Sequence, residues 1–298
     1  MERAILAGPF VGEMYWEIAR FAGHAIWKKT VEQKNKAKLI VFTRPDRFDM
    51  YGTYADILVP LRIEGDGDKF MADCYRLKDF PHDSFVQLAK TFGKKYRKQY
   101  EVVEHILPPM KKKKWANKNF FPIKQMVLND FRPRIDNINI VNQLPSDKPW
   151  VALAPRYRKD FRRNWPHWQE FYNMICDSKL MDKYYFILCG KYPDHIPDKQ
   201  DRLFDINDME LTPDSSLIGL TIEILERAIL TVGSQSGIPN ISLLLGTEAL
   251  EWGHQRTQHS ITYNIFKTPV TFLDDMKYKI EAKTVFDKMC KILKKKEG

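Results

Sequence analysis

Two α/β domains, each built on a parallel sheet and together facing a cleft, are the fold that this 298-residue sequence predicts. Three observations carry the prediction. The chain opens with a strand–helix–strand rhythm, which is the signature of parallel pairing. After Pro145 the same rhythm restarts more clearly, so domains of residues 1–145 and 146–298 are expected. The chain then ends in a long amphipathic pattern, read as a helix that packs back on the fold. A hydrophobic fraction of 44% is enough to bury such cores.

Taken in order, Ala4-Ile5-Leu6-Ala7 is a buried strand, followed by the small-residue turn Gly8-Pro9-Phe10-Val11-Gly12. Tyr15, Ile18, Ala19, Ala22 and Ile26 then fall on a 3.6-residue period and predict a helix. Leu39–Phe42 and Ile57–Val59 read as further strands, and residues 84–105 as a basic amphipathic helix stopped by Pro108-Pro109. The Pro- and Lys-rich stretch 106–146 reads as a loop and interdomain linker. In the second half, strands are expected at Trp150–Ala154, Tyr184–Cys189, Ile229–Val232, near Tyr263–Phe266 and at Val270–Phe272. Helices are expected from Pro166 to Ser178, over Leu217–Ala228, over Ile238–Leu245 and from about Asp275 to Lys295.

Several classes are disfavoured at once. No run of 18 apolar residues offers a transmembrane helix, and Met1-Glu2-Arg3 lacks a signal-peptide core, so a cytoplasmic setting is expected, the host's if the source is viral. The cysteines Cys74, Cys176, Cys189 and Cys290 form no Cys-x-x-Cys pair, which argues against a disulfide scaffold or a zinc site.

Charge divides the halves. The net charge is +10, with 48 Lys+Arg against 38 Asp+Glu. Residues 1–145 carry +9 and residues 146–298 carry +1, while the stretch 84–134 alone carries +10. That stretch reads as a basic insertion containing Lys94, Lys95, Lys111, Lys112, Lys113, Lys114 and Trp115, interleaved with Tyr96, Tyr100, Phe120 and Phe121. A solvated helix face with a lysine-rich loop is the plain reading of any one run. Three runs together point to a surface for a polyanion, because cations hold phosphates and aromatics stack on bases.

Three loops at strand carboxyl ends carry the chemistry. Gly8-Pro9-Phe10-Val11-Gly12-Glu13 allows close backbone approach at Gly12 and sets Glu13 where a general base could act, although an acid also suits a helix start. Pro155–Pro166 packs Arg156, Arg158, Lys159, Arg162 and Arg163 between a buried strand and a helix N-terminus, as a diphosphate clamp would require. Gly233-Ser234-Gln235-Ser236-Gly237 offers hydroxyls and backbone N–H groups to a phosphate. His254 follows in Glu251-Trp252-Gly253-His254, where a ligand role competes with a structural one.

In order and spacing these loops resemble the heptosyltransferase-like family of two-domain GT-B glycosyltransferases, whose domains are Rossmann-like. The resemblance rests on Gly8…Gly12-Glu13, on Arg163-Asn164-Trp165-Pro166, on the strand ending at Gly190, and on Gln235-Ser236-Gly237. It covers most of residues 150–246 and, in the first half, about residues 4–26. Two departures stand out: the family's first-loop Asp is Glu13, and the Asp of its Asp-Ser-Gly loop is Gln235.

The resemblance implies an inverting, metal-independent glycosyltransferase that needs no cofactor beyond its nucleotide-sugar co-substrate. Its donor half would be the second domain, with Arg156, Arg158, Arg163, Gly190, Ser234, Gln235, Ser236, Gly237 and His254 as donor-binding residues. Glu13 would deprotonate an acceptor hydroxyl held by the first domain, with Gly12, Lys94, Lys95, Lys111–Lys114 and Trp115 as acceptor-binding residues. The basic surplus in that domain then predicts a polyanionic acceptor. A hydroxymethylated pyrimidine in duplex DNA, as in phage DNA glucosyltransferases, comes first because of the interleaved aromatics. A phosphorylated lipopolysaccharide core is the alternative, and a non-catalytic binding protein on the same scaffold is the rival from another class.

Overall fold

The computed structural model describes residues 1–10, 17–51, 54–61, 82–107, 142–156, 164–189, 203–209, 217–262, 264 and 266–297. The chain divides into two compact units, Met1–Asp136 and Asn137–Gly298, each built on its own parallel sheet.

In the first unit, β1 (Arg3–Phe10) is buried from Ala4 onward, as expected of a strand flanked on both edges in a parallel sheet. A continuous helical stretch, α1, follows in three parts, Glu17–Ala22, Gly23–Trp27 and Lys28–Glu32, the outer two with wide π-type turns. Then come β2 (Lys38–Thr43), a 3₁₀ turn (Pro45–Met50), β3 (Ile57–Pro60), α2 (His82–Arg97) and β4 (Glu101–Ile106). The strand order is β3-β2-β1-β4.

The helix expected over 84–105 therefore stops at Arg97, and its second part is strand β4, paired in parallel with β1. Val102, Val103 and Ile106 are β-branched, and the buried backbone of β1 needs a partner on that edge. Phe92 and Tyr96 of α2 pack on Leu6, Ile40 and Phe42 of the sheet, with Phe92 4.8 Å from Phe42 and 5.0 Å from Tyr96 between ring centroids.

In the second unit, β5 (Trp150–Ala154) is buried throughout. It is followed by α3 (Trp168–Cys176), α4 (Leu180–Lys183), β6 (Tyr185–Leu188), β7 (Leu203–Asp205) and α5 (Leu217–Arg227). Next come β8 (Leu230–Ser234), α6 (Gly237–Leu245), β9 (Ala249–Gly253), β10 (Val270–Asp274) and α7 (Ala282–Lys296). The order is β10-β9-β8-β5-β6-β7.

Several elements differ from the expected ones, and the short strand β7 and helix α4 are additions. Helix α3 begins two residues after Pro166, because Trp165 is drawn into the core and its Nε1–H is bonded to the Ile280 carbonyl at 2.7 Å. Strand β9, which was not expected, fills the gap between β8 and β10. Asn264 and Phe266 lie outside any strand; Tyr263 and Ile265 are outside the described residues. Helix α7 starts at Ala282 rather than near Asp275, because the Asp275 carboxylate accepts from Lys277 N (3.1 Å) and Ile280 N (2.6 Å) and folds that segment into a loop. Helix α7 does pack back, onto its own unit: Val285, Met289 and Ile292 join Trp165, Trp168, Phe171 and Trp252 in one core.

Candidate active site

The second sheet runs from β5 outward to β6 and β7, then returns to add β8, β9 and β10 on the other side of β5. Strand order thus reverses between β5 and β8, and parallel α/β sheets bind ligands outside the carboxyl ends of the strands at such a reversal. Ala154 and Gly233 are register partners there, as are Ser234 and Trp252 one strand on.

Six of the expected site residues meet at this point. The Arg156 Nη1–H is bonded to the Gln235 carbonyl at 2.9 Å, tying the end of β5 to the loop after β8. Ser234 is fully buried, and its Oγ has no hydrogen-bond partner among the described residues. A buried polar atom left unsatisfied this way costs about 1–3 kcal/mol, so its retention at a reversal point is informative. Ser236 stands in extended conformation at the N-cap of α6, where its side chain makes no cap bond. Its carbonyl instead accepts from Asn240 Nδ2 at 2.7 Å, a contribution that the sequence pattern did not reveal. Gly237 opens α6, whose first N–H groups and dipole favour an anion.

Gln235 is 1% exposed, and its side chain is committed inward. Oε1 accepts from the Tyr278 hydroxyl (2.7 Å) and from the backbone N–H of His254 (3.1 Å), while Nε2 donates to Gln255 Oε1 (2.7 Å). His254 is exposed, with Nδ1 3.1 Å from the Tyr278 hydroxyl and its ring edge-on to Tyr278. Gly253 makes room for this arrangement: a Cβ there would lie 2.7 Å from Gln235 Cβ.

Tyr278 itself was not singled out by sequence reasoning. It is 3% exposed and has a left-handed backbone, φ 53°. That conformation costs a bulky side chain about 1–3 kcal/mol, and such strain concentrates at functional sites. The Asx turn of Asp275 holds it in place.

The first unit has its own reversal, between β1 and β4. There the His105 Nε2–H donates to the Gly8 carbonyl at 2.9 Å. Burial pushes the His105 pKa down, the Gly8 bond opposes this, and Arg97 lowers it further. Gly8 has φ +105°, and a side chain at that position would collide with the Phe42 carbonyl. Nearby, the buried carboxylate of Glu17 accepts from Thr43 Oγ1 (2.5 Å) and the Tyr51 hydroxyl (2.8 Å).

Lys94 and Lys95 lie exposed on the outer face of α2, Lys95 with its Nζ 5.3 Å from the Tyr96 ring centre. Gly12, Glu13, Lys111–Lys114, Trp115, Arg158, Arg163 and Gly190 lie outside the described residues. Among the described residues, no cluster of His, Cys, Asp or Glu could hold a metal ion, and no helix is long and apolar enough to cross a membrane.

Two α/β units, each on its own parallel sheet, match the fold of GT-B glycosyltransferases of known structure. The chain is similar along 100% of both lengths to the E. coli ADP-heptose LPS heptosyltransferase II, with a TM-score of 0.62 and 12% identity. It is also similar to the glycosyl transferase family 9 protein from Veillonella parvula, covering 99% of this chain and 97% of that one (TM-score 0.56, 10% identity). The E. coli heptosyltransferase WaaC with ADP matches over 98% and 99% (TM-score 0.50, 10% identity). The expected heptosyltransferase-like fold is thereby borne out. No protein-family model matches the sequence, and no curated protein matches it.

Proposed function

We propose that the protein is a glycosyltransferase whose second unit binds a nucleotide-sugar at the β5/β8 reversal. The observation that carries this reading is the Arg156–Gln235 tie beside the first turn of α6 and the buried Ser234 hydroxyl, which has no partner among the described residues. A guanidinium and a helix N-terminus at one strand reversal are suited to a diphosphate. Arg156, together with Arg158 and Arg163, would stabilise the leaving nucleoside diphosphate electrostatically, in the role a metal fills elsewhere. Glu13 would take the proton of the acceptor hydroxyl as that hydroxyl attacks the anomeric carbon, with inversion.

For the acceptor, the order of the two polyanions changes. Tyr96 is buried on the inner face of α2 and half-buried Tyr100 stacks on it at 6.3 Å, so these two rings are engaged with the core, which disfavours a base-stacking role for them. The E. coli fold relative is named for acting on lipopolysaccharide. A phosphorylated lipopolysaccharide core is therefore the acceptor we favour, held by the exposed cations Lys94 and Lys95 and by the Lys111–Lys114 run.

Melting temperature measured with ADP, UDP and their sugars tests the donor site, because a ligand bound only to the folded state raises it. A rise that Arg156→Ala weakens about 10- to 100-fold in affinity is expected, the loss of a hydrogen bond to a charged group being about 1.5–3 kcal/mol. No shift with any of them would sink the reading. Binding without sugar transfer, unchanged in Glu13→Gln, would favour the non-catalytic rival. Salt-dependent binding to duplex DNA but not to lipopolysaccharide core would restore the DNA acceptor.

A further inference from the structure

The hydrogen bonds around Gln235 can be assigned without ambiguity from one fixed donor. A backbone N–H can only donate, so the Gln235 atom 3.1 Å from His254 N is the oxygen. The Tyr278 hydroxyl, 2.7 Å from that same oxygen, must then spend its single proton on it. His254 Nδ1, 3.1 Å from the tyrosine oxygen, is left as the donor of the third bond. Neutral His254 is thus the Nδ1–H tautomer, and its Nε2 has acceptor character. The chain of donors runs from His254 through Tyr278 to Gln235, whose backbone carbonyl takes Arg156 and whose Nε2 reaches Gln255.

Geometry reinforces the direction of control. Tyr278 comes from the loop before α7, 43 residues away from Gln235 in sequence. It is buried in a left-handed conformation held by Asp275. Gly253 gives Gln235 the room this arrangement needs, since a Cβ there would lie 2.7 Å from Gln235 Cβ. The Gln235 side chain is thereby held by the Tyr278 hydroxyl and the His254 N–H, and Arg156 is bonded to its main chain.

We infer that Tyr278 is a positioning residue of the donor site: through Gln235 it sets the place of Arg156 and the tautomer of His254. This rests on the nucleotide-sugar reading proposed above, but its first test does not. Nitrogen-15 NMR of histidine-labelled protein, at alkaline pH where the imidazole is neutral, reports which ring nitrogen carries the proton. The Nδ1–H signature is expected for His254 in the wild type and its loss is expected in Tyr278→Phe; Nε2–H in the wild type overturns the inference whether or not the variant folds.

The second test is a double-mutant cycle on ADP and UDP affinity with Tyr278→Phe and Arg156→Lys. Each change alone is expected to weaken binding about tenfold, the equivalent of one hydrogen bond, and the pair by clearly less than the product. Additive losses, or a lower melting temperature with affinity unchanged, would mean that Tyr278 only supports the fold. If the wild type binds neither nucleotide, the donor-site reading fails while the tautomer measurement still decides the lock.

Discussion

Both units reverse their strand order once, at β1/β4 in the first and β5/β8 in the second, and the two reversals are fastened by different chemistry. In the first, an imidazole kept neutral by burial holds the Gly8 carbonyl, and a buried carboxylate gathers the hydroxyls of Thr43 and Tyr51. In the second, a guanidinium holds the Gln235 carbonyl, while a phenol, an amide and the His254 backbone N–H brace the same glutamine. A guanidinium carries a permanent charge and five N–H donors in a fixed fork, a geometry that suits an anion. The nearly neutral half of the chain thus places a cation at its reversal, whereas exposed cations of the strongly basic half lie on the outer face of α2. Net charge and the position of a site are separate questions in this molecule.

The largest test of this difference is structural. Trp252 is fully buried, its ring 4.6 Å from Trp165 and 5.5 Å from Trp168, and its carbonyl accepts the Gln235 N–H at 2.8 Å. Trp252→Ala should destabilise the second unit by about 3–5 kcal/mol, the usual cost of deleting a core tryptophan. Urea unfolding followed by fluorescence and by far-ultraviolet circular dichroism checks it. Loss confined to the second unit supports two separately fastened regions; an equal shift of every transition would break the comparison.

Acid should act on the first unit instead. Burial, and after it Lys28, lower the pKa of His24 from 6.5 to about 4, with Glu104 and Glu32 opposing. Between those values the unfolded chain binds the proton and the folded one resists it. Stability is therefore full above pH 6.5 and falls as pH drops toward 4, by about 3 kcal/mol in all. His105, also lowered, adds in the same direction. Urea midpoints across this window should drop further in the wild type than in His24→Gln, which keeps only the His105 part; an equal drop in both would assign the acid loss to other groups.

The parts of the fold that could be read from sequence are those where local pattern and burial agree. Trp150–Ala154 is a run of apolar residues and is a fully buried strand; Leu217–Arg227 and Gly237–Leu245 lie within a residue of the expected helices. Strand β4 was hidden because its spacing continues that of α2, and only the open edge of β1 decides in favour of a strand. Strand β9 was hidden by Glu251 in a five-residue segment buried on both faces. At the site, Arg156 and the Gly233–Gly237 loop were legible because charge and glycines mark strand ends. Tyr278 was not, since neither its left-handed φ nor its bond to Gln235 leaves a local trace. Glu17 was hidden in the same way, because its partners Thr43 and Tyr51 are 26 and 34 residues away.

The smallest predicted effect concerns that acid. Thr43→Val keeps the shape of a fully buried side chain and removes one of the two hydroxyls donating to Glu17. A buried carboxylate deprived of one donor should cost about 1–3 kcal/mol, with Tyr51 limiting the loss. Because Thr43 ends β2 in the first unit, the change should lower the urea midpoint without altering ADP or UDP affinity. The companion Tyr51→Phe should cost a similar amount, and the double variant more than the sum, since the carboxylate then keeps neither hydroxyl. Nucleotide affinity that fell along with stability would show that the two reversals act as one site, and the contrast between a neutral and a charged fastening would lose its meaning.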